Sequence, residues 1–130
     1  MPKGIKGFTF IELLICIAII IPVLLGVIGV DIYMTRAGDT SRQVINALQD
    51  ANTVIERIRN TASNQGLTAV TAAYPSGQAV AGFATLTNEQ VVVTYPSATA
   101  DPLTITVTVT WQNSEGRNMN RSLATQVTRR

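Results

Sequence analysis

The 130-residue chain has no histidine, a single cysteine, a single tryptophan and only two lysines. Without histidine, the usual general base and metal ligand near neutral pH is missing. The lone Cys16 can close no intrachain disulfide. No CxxC, HExxH or P-loop pattern is present to supply a redox pair, a zinc site or a phosphate cradle. The acids do not replace them: Glu56 beside Arg57 and Arg59 suits a solvated helix face, Asp101 before Pro102 marks a turn, and Glu115 falls in a hairpin loop. No nucleophile–base pair emerges, so neither catalysis nor a cofactor or metal is expected.

Charge is also scarce, at 14% of residues, and unevenly placed. From Phe8 to Val30 the only charge is Glu12, and Leu13 to Val30 has none. As a helix this segment would be roughly 34 Å long, enough for a hydrocarbon core of about 30 Å. Cys16 lies inside it and reads as a small apolar filler. Both lysines, Lys3 and Lys6, precede Phe8; without residues 1–7 the chain would keep eight arginines and eight acids, a side-chain charge of zero. The basic pI thus belongs to a short leader and not to a nucleic-acid surface, so no nucleic-acid partner is indicated. The lysines hold the N-terminal end on the cytoplasmic side, and residues from about 31 onward are expected to face the periplasm or the exterior.

A conventional secretory signal has an apolar core of about 7–15 residues followed by a small-x-small cleavage site. Here the run is longer, and Val27-Ile-Gly-Val-Asp31 is a poor site. A plain signal anchor would explain the length and the lysines, but not Glu12, nor Gly7 immediately before an aromatic residue. Gly7-Phe8-Thr9-Phe10-Ile11-Glu12-Leu13-Leu14 resembles the class III signal of type IV prepilins and pseudopilins. Phe10 stands where leucine is commonest in that family. Cleavage at Gly4 would put Ile5 first and leave Lys6 and Glu12 out of register.

The resemblance implies that a prepilin peptidase cuts between Gly7 and Phe8 and that Phe8 becomes the methylated N-terminus. It further implies assembly with other pilin or pseudopilin subunits, on an inner-membrane platform and out of membrane lipid. Phe8 and Glu12 are four residues apart, on one helix face, and an acid near a helix start suits the macrodipole. The new α-amine, with a reference pKa of about 8, stays cationic when monomethylated. Glu12 could snorkel to the headgroups or pair with its own terminus. The family resemblance implies instead that it meets the Phe8 amine of a neighbouring subunit and sets the register of a filament. Pro22 interrupts the span, and Gly26 and Gly29 follow at one-turn spacing, so this stretch is expected to kink and to be flexible. It can equally be a tolerated membrane proline. Many major pilins carry their proline where this chain has Gly29.

Beyond the span, Asp31 to about Thr61 is expected to continue as a helix. Val44, Leu48, Ala51, Ile55 and Ile58 recur at heptad-like spacing, with Ile45 and Val54 alongside and Arg42, Gln49, Thr53 and Arg57 opposite. The stripe is short for a coiled coil and is expected to pack on a sheet instead. Thr61 to Gln78, which includes Tyr74-Pro75-Ser76-Gly77, reads as a loop. Strands are expected at Val80–Thr87, Gln90–Tyr95, Leu103–Trp111 and Arg121–Thr128, with a turn over Gln112–Asn120 around Gly116. The third is clearest, because Leu103, Ile105, Val107, Val109 and Trp111 alternate with threonines. Trp111 reads as core filler. The expected class is α+β, a long N-terminal helix on a small, mostly antiparallel sheet. The expected organisation is a cleaved leader (1–7), a membrane and assembly helix (8–30) and a periplasmic or extracellular domain (31–130).

Val107 to Trp111, the Gly116-Arg117 turn and Leu123-Ala-Thr125 resemble the C-terminal hairpin of V-type minor pilins and I-type minor pseudopilins. Ala51 to Arg59 resembles their helix. The implied role is a minor pilin-like subunit of a type IV pilus. A minor pseudopilin of type II secretion, a major pilin and, from another class, a single-pass membrane-tethered binding module remain alternatives.

Overall fold

The strict alternation of Leu103–Gln112 becomes the middle strand of a three-stranded antiparallel sheet. The structure, a computed structural model, describes residues 9–128. In chain order it comprises α1 (Phe10–Gln65), α2 (Leu67–Ala73), β1 (Gln90–Thr94), β2 (Leu103–Gln112) and β3 (Asn118–Val127). The sheet order is β1-β2-β3, with Val91 opposite Val109 and Leu103 opposite Val127. The class is therefore α+β, a long N-terminal helix and a small antiparallel sheet, consistent with a pilin-like fold. Two compact units divide after Asp39.

In the second unit, Ala47, Ala51, Val54, Ile55 and Ile58 form the buried stripe of α1. They meet Val91 and Val93 of β1 and the inward residues of β2, of which Leu103, Ile105, Val107 and Val109 are wholly buried. The spacing of the stripe follows the 3.6-residue period. Ile45, expected beside the stripe, is instead 58% exposed, and Ala47 takes the buried position. Ala47 lies three residues beyond Val44 and four before Ala51, on the same helix face, whereas Ile45 is rotated about 100° from Val44 and falls outside the buried arc here. Trp111 is buried at the end of β2, and its Nε1 donates to Gln43 Oε1 at 3.2 Å.

Three expectations need correction. Thr61–Gln78 is mostly helical: α1 runs to Gln65, and α2 follows after Gly66. Burial decides this, because Leu67 and Val70 enter the core three residues apart while Ala62 packs against it, and packing outweighs weak local propensity. Val80–Thr87 forms no strand; Ala79 alone bridges to Val92. Gly82 takes φ 96°, and Glu89 Oε2 accepts the amides of Thr85 and Leu86 at 2.8 and 3.0 Å. A side chain thus takes the donors a ladder would need. The segment is fastened to α1 by Thr85 Oγ1, which lies 2.5 Å from Asp50 Oδ2, and by Arg57 stacked 5.1 Å from the Phe83 ring centroid. Finally, β3 starts at Asn118, earlier than Arg121. Asn113 closes a tight turn: its Oδ1 accepts the amides of Glu115 and Arg117, and Gly116 supplies φ 74°. Pairing therefore resumes at once, with Gln112 opposite Asn118.

Candidate assembly site

The first unit is bare helix. Its described apolar residues are exposed: Phe10 is 77% exposed, and Leu13 through Val30 stay open to the surroundings. α1 is the one helix among the described residues long and apolar enough to cross a membrane. In a single chain a surface of this length and apolarity would be strongly unfavourable in water, so it requires lipid or other helices around it.

Glu12 lies in the first turn of α1 and is exposed. The amides of Glu12 and Leu13 both reach the Thr9 carbonyl, at 3.1 and 3.2 Å. Thr9 therefore marks the helix start, and Glu12 lies in the first turn, where the helix dipole favours a negative charge. Thr9 was not singled out by sequence reasoning, although Thr9-x-x-Glu12 has capping-box spacing and could have shown it. Gly7 and Phe8, the expected cleavage and methylation positions, lie outside the described residues.

α1 is helical throughout Pro22, Gly26 and Gly29. Proline has no amide hydrogen, so the Ala18 carbonyl lacks its usual partner there. A methyl group added at Gly26 or Gly29 would meet nothing within 4 Å, so packing within this chain does not demand glycine at either position.

The second unit places its polar groups on the open side of the sheet. Thr104, Thr106, Thr108 and Thr110 project from β2, flanked by the outward residues of β1 and β3. Thr108 and Ser122 hydroxyls pair at 2.9 Å across the strands. At the Trp111 end a shallow depression of ≈ 360 Å³ is lined mainly by carboxamide residues, with Thr110, Trp111 and Met119 also in its wall. Sequence reasoning recognised the threonine face but not this depression, which depends on the register that brings Asn118 and Asn120 beside Gln112 and Thr110.

Residues 2–28 match the family described as the prokaryotic N-terminal methylation motif. That match marks the N-terminal segment as a type IV pilin-like class III signal and supports a pilin- or pseudopilin-like precursor. No curated protein and no solved structure matches the chain. A motif of this kind implies processing by prepilin peptidase and assembly with other pilin-type subunits, and with the apolar helix it indicates membrane anchoring.

Proposed function

We propose that the chain is a structural subunit, minor pilin-like, of a type IV pilus. In this reading residues 1–7 are removed between Gly7 and Phe8, Phe8 is methylated, and residues 8–30 hold the subunit in the inner membrane until it is drawn into a filament. The N-terminus faces the cytoplasm, and residues 31–130 lie outside. The observation that carries the reading is Glu12 in the first turn of α1, the lone charge in an exposed apolar stretch that runs to Val30, inside the matched motif.

Such a helix has two suitable environments. Lipid accepts the apolar surface, and a bundle of identical helices accepts it equally well while giving Glu12 a cation. The carboxylate is tolerable in lipid because it is near the end of the span, but it gains a specific partner only when a neighbour's Phe8 amine comes alongside. Transfer from membrane to filament would then exchange one apolar surrounding for another, with the ion pair setting the register. Pro22, Gly26 and Gly29 supply the flexibility for repacking in this scheme, since proline removes a helix hydrogen bond and glycine adds backbone freedom.

The alternative is a minor pseudopilin of a type II secretion system, which shares the anchor and differs in destination. Immunogold labelling of fibres sheared from intact cells separates the two. Label along or at the tips of surface fibres is the expected result. Label confined to the periplasm, with secretion failing in a deletion strain, would assign the chain to a pseudopilus instead.

A further inference from the structure

Among the described residues, the outward positions of the three strands carry no formal charge. β1 and β2 contain no charged residue, and β3 contains one, Arg121. Arg121 is registered with buried Val109 and therefore stands on the opposite, helix-side face. Charges close to the outer face are turned elsewhere: Glu89 is bound to Thr85 and Leu86, and Arg117 pairs with Glu115 within the turn. An exposed strand surface normally uses charged side chains for solubility and to discourage association. Here the surface is built from hydroxyls and carboxamides.

At one end those groups converge. Asn88 Nδ2 donates to Gln112 Oε1 at 2.8 Å, and Gln112 Nε2 donates to Asn118 Oδ1 at 3.2 Å. The Gln112 amide also donates to the Thr87 carbonyl at 2.9 Å, fixing the loop against the strand. This chain of amides sets the orientation of all three groups in advance. Asn88, Gln112 and Asn118, with the adjoining Asn120, line the depression of ≈ 360 Å³. Each carboxamide offers both donors and an acceptor, and each hydroxyl offers both functions.

The geometry points to this depression as a binding site for a neutral oligosaccharide. Paired hydroxyls on a sugar ring donate and accept at once, as do the amides that face them, and neither side bears a charge to desolvate. Other ligand classes fit poorly. A nucleic acid or anionic lipid needs lysine or arginine, and the outward strand positions among the described residues have none. An extended peptide would pair along a strand edge and not across a sheet face. A hydrophobic partner would find only Val92 and Ala124 among the outward residues. Trp111 contributes to the wall but is buried, so the site rests on a few neutral hydrogen bonds, which support dissociation constants on the order of 1 mM. The site stands on the second unit alone and does not depend on filament assembly.

The test is side-chain amide NMR on the full chain in a sugar-free zwitterionic detergent. It is titrated with maltohexaose, cellotetraose and chitotetraose, and with a sulfated tetrasaccharide as the charged control. The expected result is saturable shifts of the Asn88, Gln112, Asn118 and Asn120 amides with at least one neutral sugar and none with the control. Combining Asn118→Ala with Asn120→Ala should weaken that binding by about tenfold or more. Asn120→Lys, a single exposed change, should weaken binding without altering the core methyl spectrum. Absence of shifts with all three sugars, unchanged binding in both variants, or stronger binding of the sulfated control would overturn the assignment.

Discussion

Glu12→Ala is expected to be cleaved and inserted like the natural chain, yet to enter filaments about tenfold less often or worse. Exposed apolar side chains surround the carboxylate, with Ile11 at 63% and Leu13 at 51% exposure, and a bundle of such helices would exclude water from it. An ion pair about 4 Å apart is worth on the order of 4 kcal/mol at an effective dielectric constant of 20, before desolvation is subtracted. If only about 1.4 kcal/mol survives per contact, incorporation changes tenfold. Processing should be unaffected, because the proposed cleavage between Gly7 and Phe8 does not involve Glu12 and the lysines still set the orientation. Quantitative blotting of sheared filaments against the membrane pool measures the ratio. Incorporation equal to the natural chain would remove the ion pair from the assembly scheme.

The second large effect concerns the folded unit. Trp111→Ala should lower its stability by about 3–5 kcal/mol, the usual range for deleting a buried large aromatic side chain. Trp111 is 2% exposed, closes the end of the core where α1 meets β2, and ties to Gln43 through its indole nitrogen. Gln43→Ala removes only that hydrogen bond and should cost about 1 kcal/mol. For a unit of this size, the tryptophan variant should melt more than about 10 °C lower. Thermal unfolding followed by far-ultraviolet circular dichroism in detergent distinguishes the two variants. A fall of only about 3 °C for Trp111→Ala would show that the residue is not a core element.

How far the sequence foretold these features depended on the range of the interaction. The middle strand was legible because its alternation of apolar residues and threonines is a local property with period two. The buried stripe of α1 was mostly legible for the same reason, at period 3.6, with Ile45 assigned to the wrong side. α2 was not, because its seven residues are too few for Ala69, Ala72 and Ala73 to outweigh Thr68, Thr71 and the flanking Gly66 and Pro75 in a sequence reading. Contacts of Leu67 and Val70 with distant core residues, and the Tyr95 hydroxyl on the Thr71 carbonyl, help hold it. The failed strand at Val80–Thr87 has a comparable cause. Its β-like composition lost to Glu89, Asp50 and Arg57, which capture the segment from elsewhere in the chain.

The assembly site was legible to a different degree. Glu12 is conspicuous in sequence because no other charge accompanies it, and its place in the first helical turn agrees with Thr9 accepting the opening amides. The carboxamide depression could not be read in the same way. Asn88, Gln112 and Asn118 come from a loop and two strands, and only the register of β2 with β3 joins them.

The central claim is that proteolysis creates the amine with which Glu12 pairs in the filament. Intact-mass analysis of the chain purified from its native membrane tests it most directly. The predicted mass is that of residues 8–130 carrying one added methyl group, with a fragment series placing that methyl on the Phe8 nitrogen. A chain that retains residues 1–7 in assembled filaments, or that begins at Phe8 with its amine blocked by acylation, would contradict the account.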